Sequence, residues 1–233
     1  ELLADLGVDV VVTFPFTPPV SQLSANEFVS LLKSHLDMKH LIVGPDFALG
    51  RDRVGNSQYL SETGINLGFE VSTIDPLEIE GRVVSSSAIR HALRDGDIDL
   101  VNVLLGRPYF VKGQIVPGDG RGQTIGIPTA NLSMWAERAL PKSGVYITRG
   151  QVNGATYGAV TNIGVRPTFS SEHPRLQVEA HLLDFEEQIY GLEMQLDFIG
   201  HLRGEKKFSS IDALVTQIRQ DISQAKGILA VNS

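Results

Sequence analysis

The chain has 233 residues, of which 42% are hydrophobic and 20% charged, and its formal net charge at pH 7 is -7. No apolar run approaches the ~20 residues needed to cross a bilayer, and no long basic run offers a nucleic-acid surface, so we expect neither a membrane nor a nucleic-acid partner. The chain has no cysteine, which excludes disulfides and thiolate chemistry and fits a cytoplasmic protein.

The first hundred residues alternate short apolar runs with helical patterns, which is typical of an α/β sheet. Residues 8–14 and 40–43 predict buried strands, and a capping box at Ser24 predicts a helix between them. Strand, helix and strand in this order favour parallel pairing. A further helix near 58–66 and a strand at 69–74 extend the same sheet.

Two short helices are predicted next, from about Ser86 and from Asp97, and Gly106-Arg107-Pro108 ends the helical pattern. Beyond it the pattern changes to short strands separated by glycine, proline or polar turns, which predicts a small antiparallel barrel. The strands are expected at 109–116, 144–152, 156–163, 176–183 and 194–199. A final amphipathic helix begins near Ser209. We therefore expect two domains, residues 1–105 and 106–233.

The densest signal is a glycine-rich segment that includes Gly118, Gly120 and Gly122. Glycine allows positive φ and lets main-chain N–H groups turn toward one point, which favours a nest for anionic oxygens, and Arg121 could add charge. The segment is not a Walker A motif, because no Gly-Lys-Ser/Thr ends it and no helical pattern follows. By itself, such a loop is more often a set of tight turns.

The sequence Pro128-Thr129-Ala130-Asn131 follows this loop directly. A threonine hydroxyl is a hard oxygen ligand suited to Mg²⁺ that bridges ATP phosphates, and Asn131 would project from the same side of an extended chain. The alternative is a turn with satisfied local hydrogen bonds.

A later strand carries a carboxylate on its polar face. Its alternation places Val178, Ala180 and Leu182 on one face, and Glu179 and His181 on the other. Phosphoryl transfer to an alcohol needs a base, or an acceptor that orients the hydroxyl, and a glutamate on a rigid strand suits that task. The alternative is a solvated strand glutamate, and His181 is expected to be structural.

From residue 106 to about 225 these motifs, in this order, resemble the riboflavin kinase module of bacterial bifunctional FAD synthetases. The resemblance lies in 105–109, the glycine-rich loop through Asn131, 144–146, 162–169, 178–185 and 198–208. It implies a six-stranded Greek-key barrel with a terminal helix. It also implies that Thr129 and Asn131 bind Mg²⁺ and ATP, with Thr129 as the metal ligand, that Glu179 is the catalytic base, and that Arg203 lies near the flavin.

Residues 43–50 and 84–90 resemble the second part of the same enzymes' FMN adenylyltransferase domain, which implies a partial, nucleotidyltransferase-like α/β domain. The resemblance implies a nucleotide and flavin site, for which we name Asp46, Ser86, Ser87 and Arg90. Hydroxyls and N–H groups at a helix start suit phosphates. By spacing alone, Ser86 and Ser87 would be helix caps.

The chain also departs from the family pattern. Ser87 stands where the family usually has threonine, and Leu49 stands where an aromatic residue is common. The family's His-x-Gly-His nucleotide motif is not among these 233 residues, and the family places it before the point where this chain begins. Because the chain starts at Glu1 without a methionine, we expect its natural start to lie further upstream.

The resemblance implies that the barrel phosphorylates riboflavin to FMN with ATP, and that a complete first domain adenylylates FMN to FAD. Two alternatives remain open, a riboflavin kinase alone and a non-catalytic regulator that binds flavin or nucleotide. Glu179 together with Thr129 and Asn131 favours turnover, because a pure binder needs no base. The expected partners are the small molecules riboflavin, FMN and ATP, and the oligomeric state is left open.

Overall fold

The computed structural model describes residues 2–135, 137–166 and 175–231, so residues 167–169 of the motif at 162–169 lie outside it. The chain divides into two compact units, of which the first covers residues 2–77 and the second residues 78–231. In the part of the chain described, no helix is both long and apolar enough to span a membrane.

The first unit contains four helices, a short 3₁₀ helix and four strands. They are α1 (Leu2–Asp5), α2 (Pro18–Ser21), α3 (Ala25–Leu36), β1 (His40–Val43), β2 (Ala48–Leu49), the 3₁₀ helix Arg51–Arg53, β3 (Gly55–Asn56), α4 (Ser57–Leu67) and β4 (Glu70–Thr73). Strands β1 and β4 pair in parallel, whereas the parallel pair predicted for residues 8–14 and 40–43 does not form in the described residues. Their small core contains Val29, Leu60 and Phe69.

Helix α3 begins at the predicted capping box. Ser24 Oγ accepts a hydrogen bond from the Glu27 N–H, and the Glu27 carboxylate accepts one from the Ser24 N–H at 2.8 Å. Two main-chain donors that the helix itself leaves without partners are thereby satisfied.

The predicted buried strand at residues 8–14 was wrong. This segment forms no strand, and its apolar side chains are exposed, with Val10, Val11 and Val12 between 60% and 73% accessible. An apolar run becomes a strand only where a neighbouring strand pairs with its backbone, and in the described residues β1 pairs with β4 alone.

The second unit is built around a closed barrel. Its elements are β5 (Glu78–Ile79), β6 (Arg82–Val83), α5 (Ser86–Asp95), α6 (Ile98–Leu105), β7 (Tyr109–Val116), α7 (Arg121–Thr124), β8 (Ala130–Ser133), β9 (Gly144–Val152), β10 (Ala155–Arg166), β11 (Arg175–Leu182), β12 (Glu193–Gly204) and α8 (Ile211–Val231). Six antiparallel strands close in the order β10-β11-β8-β7-β12-β9. The six-stranded barrel and its C-terminal helix are confirmed.

The alternation in β11 is also confirmed. Val178, Ala180 and Leu182 are at most 5% exposed and join the barrel core, whereas Glu179 and His181 are only partly buried on the other face. Period-two burial of this kind follows from the pleat of a strand. The face that carries Glu179 is therefore the one available to a ligand.

Helices cover the barrel on two sides. Helices α5 and α6 pack on its core through Ala92, Leu93, Ile98 and Val101. Helix α8 packs through Ala225 and Leu229 on a second cluster that includes barrel residues of β9 and β10. This packing places α8 beside the outer face of the barrel.

Candidate active site

Three polar residues stand side by side on adjacent barrel strands. Asn162 of β10 lies opposite Glu179 of β11, and Glu179 in turn lies opposite Asn131 of β8. Opposed residues of antiparallel strands project on the same side of the sheet. Thr129 directly precedes β8, so the structure brings together Thr129, Asn131 and Glu179, which come from two separate motifs.

Glu179 lines a cavity of about 790 Å³, here called the large cavity. Its lining includes the polar residues Thr129, Asn162, Glu179 and His181 and the apolar residues Val145, Phe208, Leu214 and Ile218. Charged residues such as Arg203, Lys206 and Asp221 line it as well. The large cavity therefore suits a ligand that carries both polar and apolar groups.

A second cavity of about 400 Å³, here called the small cavity, adjoins the glycine-rich loop. Its lining includes Gly118, Gly120, Gly122, Thr129 and Asn131. Gly122 and Thr129 line both cavities. Thr129 therefore stands at the boundary between the two volumes.

Glycine is required in the loop for two different reasons. A Cβ on Gly118 would lie 2.0 Å from Asn131 Nδ2, and one on Gly122 would lie 2.4 Å from the Ile127 carbonyl oxygen. Gly120 instead has a φ of 69°, in the left-handed region that favours glycine. The loop thus packs directly against the segment that carries Thr129 and Asn131.

The loop uses many of its own N–H groups internally. A one-turn helix, α7, lies where the sequence pattern indicated none, and the N–H groups of 123–127 donate to the carbonyls of Gly120, Gly122 and Gln123. These five donors are engaged and are poorly placed to bind phosphate as well. The N–H groups of 123–127 are therefore excluded from the predicted phosphate-binding nest.

Arg121 lies at the large cavity and is not among the residues that line the small one. Its side chain is 88% exposed, and Nη2 is 3.5 Å from an Asp119 carboxylate oxygen. An exposed pair of this kind is weak, so the guanidinium can rotate toward a ligand at small cost.

Two further residues of β11 contact the Pro128 to Asn131 segment. Gln177 Nε2 donates a hydrogen bond to Asn131 Oδ1. His181 Nδ1 lies 2.7 Å from the Pro128 carbonyl oxygen. Sequence reasoning missed Gln177, although its spacing of two residues from Glu179 places it on the same face of the strand.

Arg203 lines the large cavity, but its guanidinium already has a partner. It donates from Nε and Nη2 to the Asp221 carboxylate of α8 at 2.8 to 3.1 Å. Its carbon Cζ also lies 5.8 Å from the centre of the Phe208 ring. The structure thus places Arg203 in the cavity wall, with its charge compensated from within the protein.

The residues predicted for a second nucleotide site fall in both units. Asp46 lies in a turn after β1, and its carbonyl oxygen accepts from Arg53 Nη2 at 3.1 Å. Ser86 and Ser87 open α5, but the residue that caps this helix is Ser85, whose Oγ accepts from the Ala88 N–H at 3.1 Å. The Ser86 and Ser87 side chains therefore do not cap this helix.

Arg90 lies one turn into α5. Its Nη2 is 3.5 Å from Ser87 Oγ. The start of this helix thus combines hydroxyl groups, main-chain N–H groups and one cation, which is the chemistry that binds a phosphate at a helix N-terminus.

The side-chain oxygens of Thr129 and Asn131 near Glu179 are hard donors of the kind that Mg²⁺ accepts. Among the described residues, no group of three or more His, Cys, Asp or Glu side chains could hold a metal ion. Thr129 and Asn131 supply neutral oxygen donors instead. Mg²⁺ usually keeps several waters and binds through substrate phosphates with few protein ligands.

The second unit is a closed six-stranded antiparallel barrel with two adjoining cavities beside Thr129, Asn131 and Glu179, and the comparisons assign this barrel to a class of phosphotransferases. The riboflavin kinase family model matches residues 105–229, and the FAD synthetase family model matches residues 1–88. The chain belongs to the family of bifunctional riboflavin kinase/FMN adenylyltransferases.

Two relatives that carry this name illustrate the sequence similarity. The chain is 39% identical to the bifunctional riboflavin kinase/FMN adenylyltransferase of Pseudomonas fluorescens, over 96% of this chain and 72% of that protein. It is 35% identical to the protein of the same name from Bacillus subtilis, over 96% and 71%. Among solved structures, that of a macrolide-efflux protein from Streptococcus pneumoniae matches with a TM-score of 0.85 and 30% identity, over 96% of this chain and 72% of that one.

Proposed function

We propose that the second unit transfers the γ-phosphate of ATP to the terminal ribityl hydroxyl of riboflavin, which yields FMN and ADP. The observation that carries this proposal is the position of Glu179 beside Asn131 in the strand register, next to Thr129 at the boundary of the two cavities. Two substrates that occupy adjoining cavities can meet only at such a boundary. Membership of the family supports the same reaction.

In this proposal each cavity holds one substrate. The small cavity, with the glycine-rich loop, suits the phosphates of ATP. The large cavity offers an apolar wall at Phe208 and Leu214 for the flavin ring and a polar wall at Asn162 and Glu179 for the ribityl chain. The reacting hydroxyl then lies near Glu179 in the large cavity, and the γ-phosphate lies on the other side of Thr129, in the small cavity.

Glu179 orients the hydroxyl and accepts its proton as the oxygen attacks the γ-phosphorus, and the bond to the bridging oxygen of ADP breaks. A base positioned in this way usually accelerates proton transfer by roughly 10²- to 10⁴-fold. Thr129 and Asn131 would hold Mg²⁺ through their side-chain oxygens. Mg²⁺, when bound, neutralises charge on the phosphates.

The remaining site residues have supporting roles in this proposal. The main chain at Gly118, Gly120 and Gly122 binds ATP phosphates, and Arg121 supplies a positive charge at the mouth of the large cavity. Arg203 shapes the flavin wall through its ion pair. Within the second unit we place the kinase domain at residues 106–233, and the family match at 105–229 supports this boundary.

The first domain, residues 1–105, contributes to FMN adenylylation in this proposal. Asp46 of the first unit, and separately Ser86, Ser87 and Arg90 at the start of α5, are the residues named for nucleotide contacts. The FAD synthetase match over residues 1–88 supports this second activity. An enzyme that consumes ATP and contains no cysteine suits the cytoplasm.

The direct test incubates this chain with riboflavin, ATP and Mg²⁺ and separates FMN and FAD by chromatography over time. FMN that accumulates with time and depends on ATP is the expected result. If the chain binds riboflavin but forms no FMN, the kinase proposal is wrong and a flavin-binding regulator takes its place. FAD formation reports separately on the first domain.

A further inference from the structure

The polar face of β11 carries three side chains in a row. Gln177, Glu179 and His181 occupy every second position of the strand. The two outer residues, Gln177 and His181, both contact the segment that carries Thr129 and Asn131. Glu179 lies between these two contacts.

Backbone pairing with β11 covers only part of the segment from Pro128 to Asn131. Pairing between β8 and β11 runs from Leu132 to Ala130 and ends there. Pro128 lies beyond the ladder and has no N–H to donate. Thr129 thus sits between the last paired residue and the Pro128 carbonyl, whose contact with His181 continues the attachment to β11.

The chemistry of this contact determines the proton position on His181. A carbonyl oxygen only accepts, so Nδ1 at 2.7 Å must be the donor.

The other contact orients the Asn131 amide. Gln177 Nε2 donates to Asn131 Oδ1, and Asn131 Nδ2 packs against Gly118, where a Cβ would come within 2.0 Å. An amide oxygen has two lone pairs, so Oδ1 keeps one for a further partner. Gln177 thus sets the position of both Asn131 and the start of the glycine-rich loop.

We propose that Gln177 and His181 are positioning residues, which clamp the Pro128 to Asn131 segment from both sides of Glu179 and so fix Thr129 and Asn131 relative to the base. This inference rests on the proposed riboflavin kinase function. Misplacing a catalytic group by about 1 Å can cost on the order of 10²-fold in rate, and packing and hydrogen bonds of supporting side chains prevent such displacement.

The test compares His181→Leu, which removes the donor, with His181→Asn, whose Nδ2 occupies a similar place and can still donate. Gln177→Leu tests the other contact.

The control for the histidine variants is His35→Leu, because His35 Nδ1 also lies 3.0 Å from a backbone carbonyl but on α3. The control for the glutamine variant is Gln114→Leu, because Gln114 Nε2 donates to the Gly191 carbonyl on the same barrel.

Two quantities are measured. The first is the rate of FMN formation as the concentrations of ATP and of riboflavin are varied in turn. The second is the affinity for Mg-ATP without riboflavin, measured by calorimetry. We expect His181→Leu and Gln177→Leu to lower kcat/KM for Mg-ATP by about 10- to 100-fold and to weaken Mg-ATP binding. Because Gln177 does not line the large cavity, Gln177→Leu should leave the KM for riboflavin within about twofold. His181→Asn should recover most of the loss and keep the wild-type pH profile. In the Thr129→Ala background, His181→Leu should add little, since coupled residues are not additive.

Three results would overturn the clamp. One is unchanged Mg-ATP binding and kinetics in both leucine variants, and another is an equal loss for both substrates in Gln177→Leu. The third is a His181→Asn variant that has lost one limb of the pH profile, which would make His181 an acid or base. Failure of the underlying function looks different, because then the wild-type chain itself forms no FMN.

Discussion

Arg203 of β12 and Asp221 of α8 form a buried ion pair, in which Arg203 Nη2 lies 2.8 Å from Asp221 Oδ2 and the side chains are 15% and 5% exposed. Gln217 Nε2 donates a further hydrogen bond to Asp221 Oδ1 at 3.0 Å. A guanidinium that donates from two nitrogens to one carboxylate is held in a defined orientation. The pair therefore joins helix α8 to the barrel in the wall of the large cavity.

Asp221→Ala should lower the free energy of unfolding by about 3–5 kcal/mol, because it leaves the Arg203 charge buried without its partner. Urea denaturation measures this value. Lys226→Ala is the matched control on the same helix, since its pair with Asp184 is 48% and 78% exposed and should contribute less than about 1 kcal/mol. Equal losses for the two variants would contradict the structural role given to the buried pair.

Glu179→Gln keeps the shape of the side chain but removes the base. We expect kcat for FMN formation to fall by roughly 10²- to 10⁴-fold, with little change in the riboflavin dissociation constant measured by fluorescence quenching. A kcat equal to that of the wild type would remove Glu179 from the mechanism.

Thr129→Ala should raise the KM for Mg-ATP and lower kcat, because the hydroxyl oxygen proposed for Mg²⁺ is lost. Thr129→Ser keeps that oxygen and should retain most of the activity. Removal of divalent ions with EDTA should stop FMN formation in the wild type, and added Mg²⁺ should restore it. If Thr129→Ala used Mg-ATP like the wild type, the metal-ligand assignment would be wrong.

Gly118→Ala should impair the kinase without a change in charge. The added Cβ meets Asn131 Nδ2 at 2.0 Å, so the amide or the loop must move, and we expect weaker Mg-ATP binding by calorimetry. Gly227→Ala provides the comparison, because nothing lies within 4 Å of its Cβ and it is a helical residue. That substitution should stabilise the protein by up to about 1 kcal/mol and leave kinetics unchanged.

Tyr146 predicts a loss of stability at alkaline pH. Burial raises the pKa of its phenol from 10.0 to about 12, and its hydroxyl donates to the Lys142 carbonyl. The unfolded chain then releases this proton at lower pH than the folded protein. The stabilising contribution of the neutral Tyr146 phenol is therefore present below pH 10 and is lost as the pH rises to about 12. Tyr146→Phe should show a shallower decrease of unfolding free energy than the wild type over this range, and identical slopes would contradict the burial effect.

Local features were predictable from the sequence by itself. The alternation of β11 placed Glu179 on the face opposite Val178 and Ala180 because a pleated strand exposes alternate residues whatever its partners are. The capping box at Ser24 was equally predictable, since its hydrogen bonds join residues three positions apart. The Thr129 and Glu179 motifs were recognised because the types and order of their residues carry the chemistry.

Which strands pair and which charged side chains meet was decided only by the tertiary structure. Residues 8–14 have the composition of a strand, yet they are exposed because no neighbouring strand pairs with them in the described chain. Arg203 was predicted to lie near the flavin, but sequence spacing could not indicate that Asp221 neutralises its charge from another element. Such pairings join residues that are distant in sequence, and only the closure of the barrel and the packing of α8 bring them together.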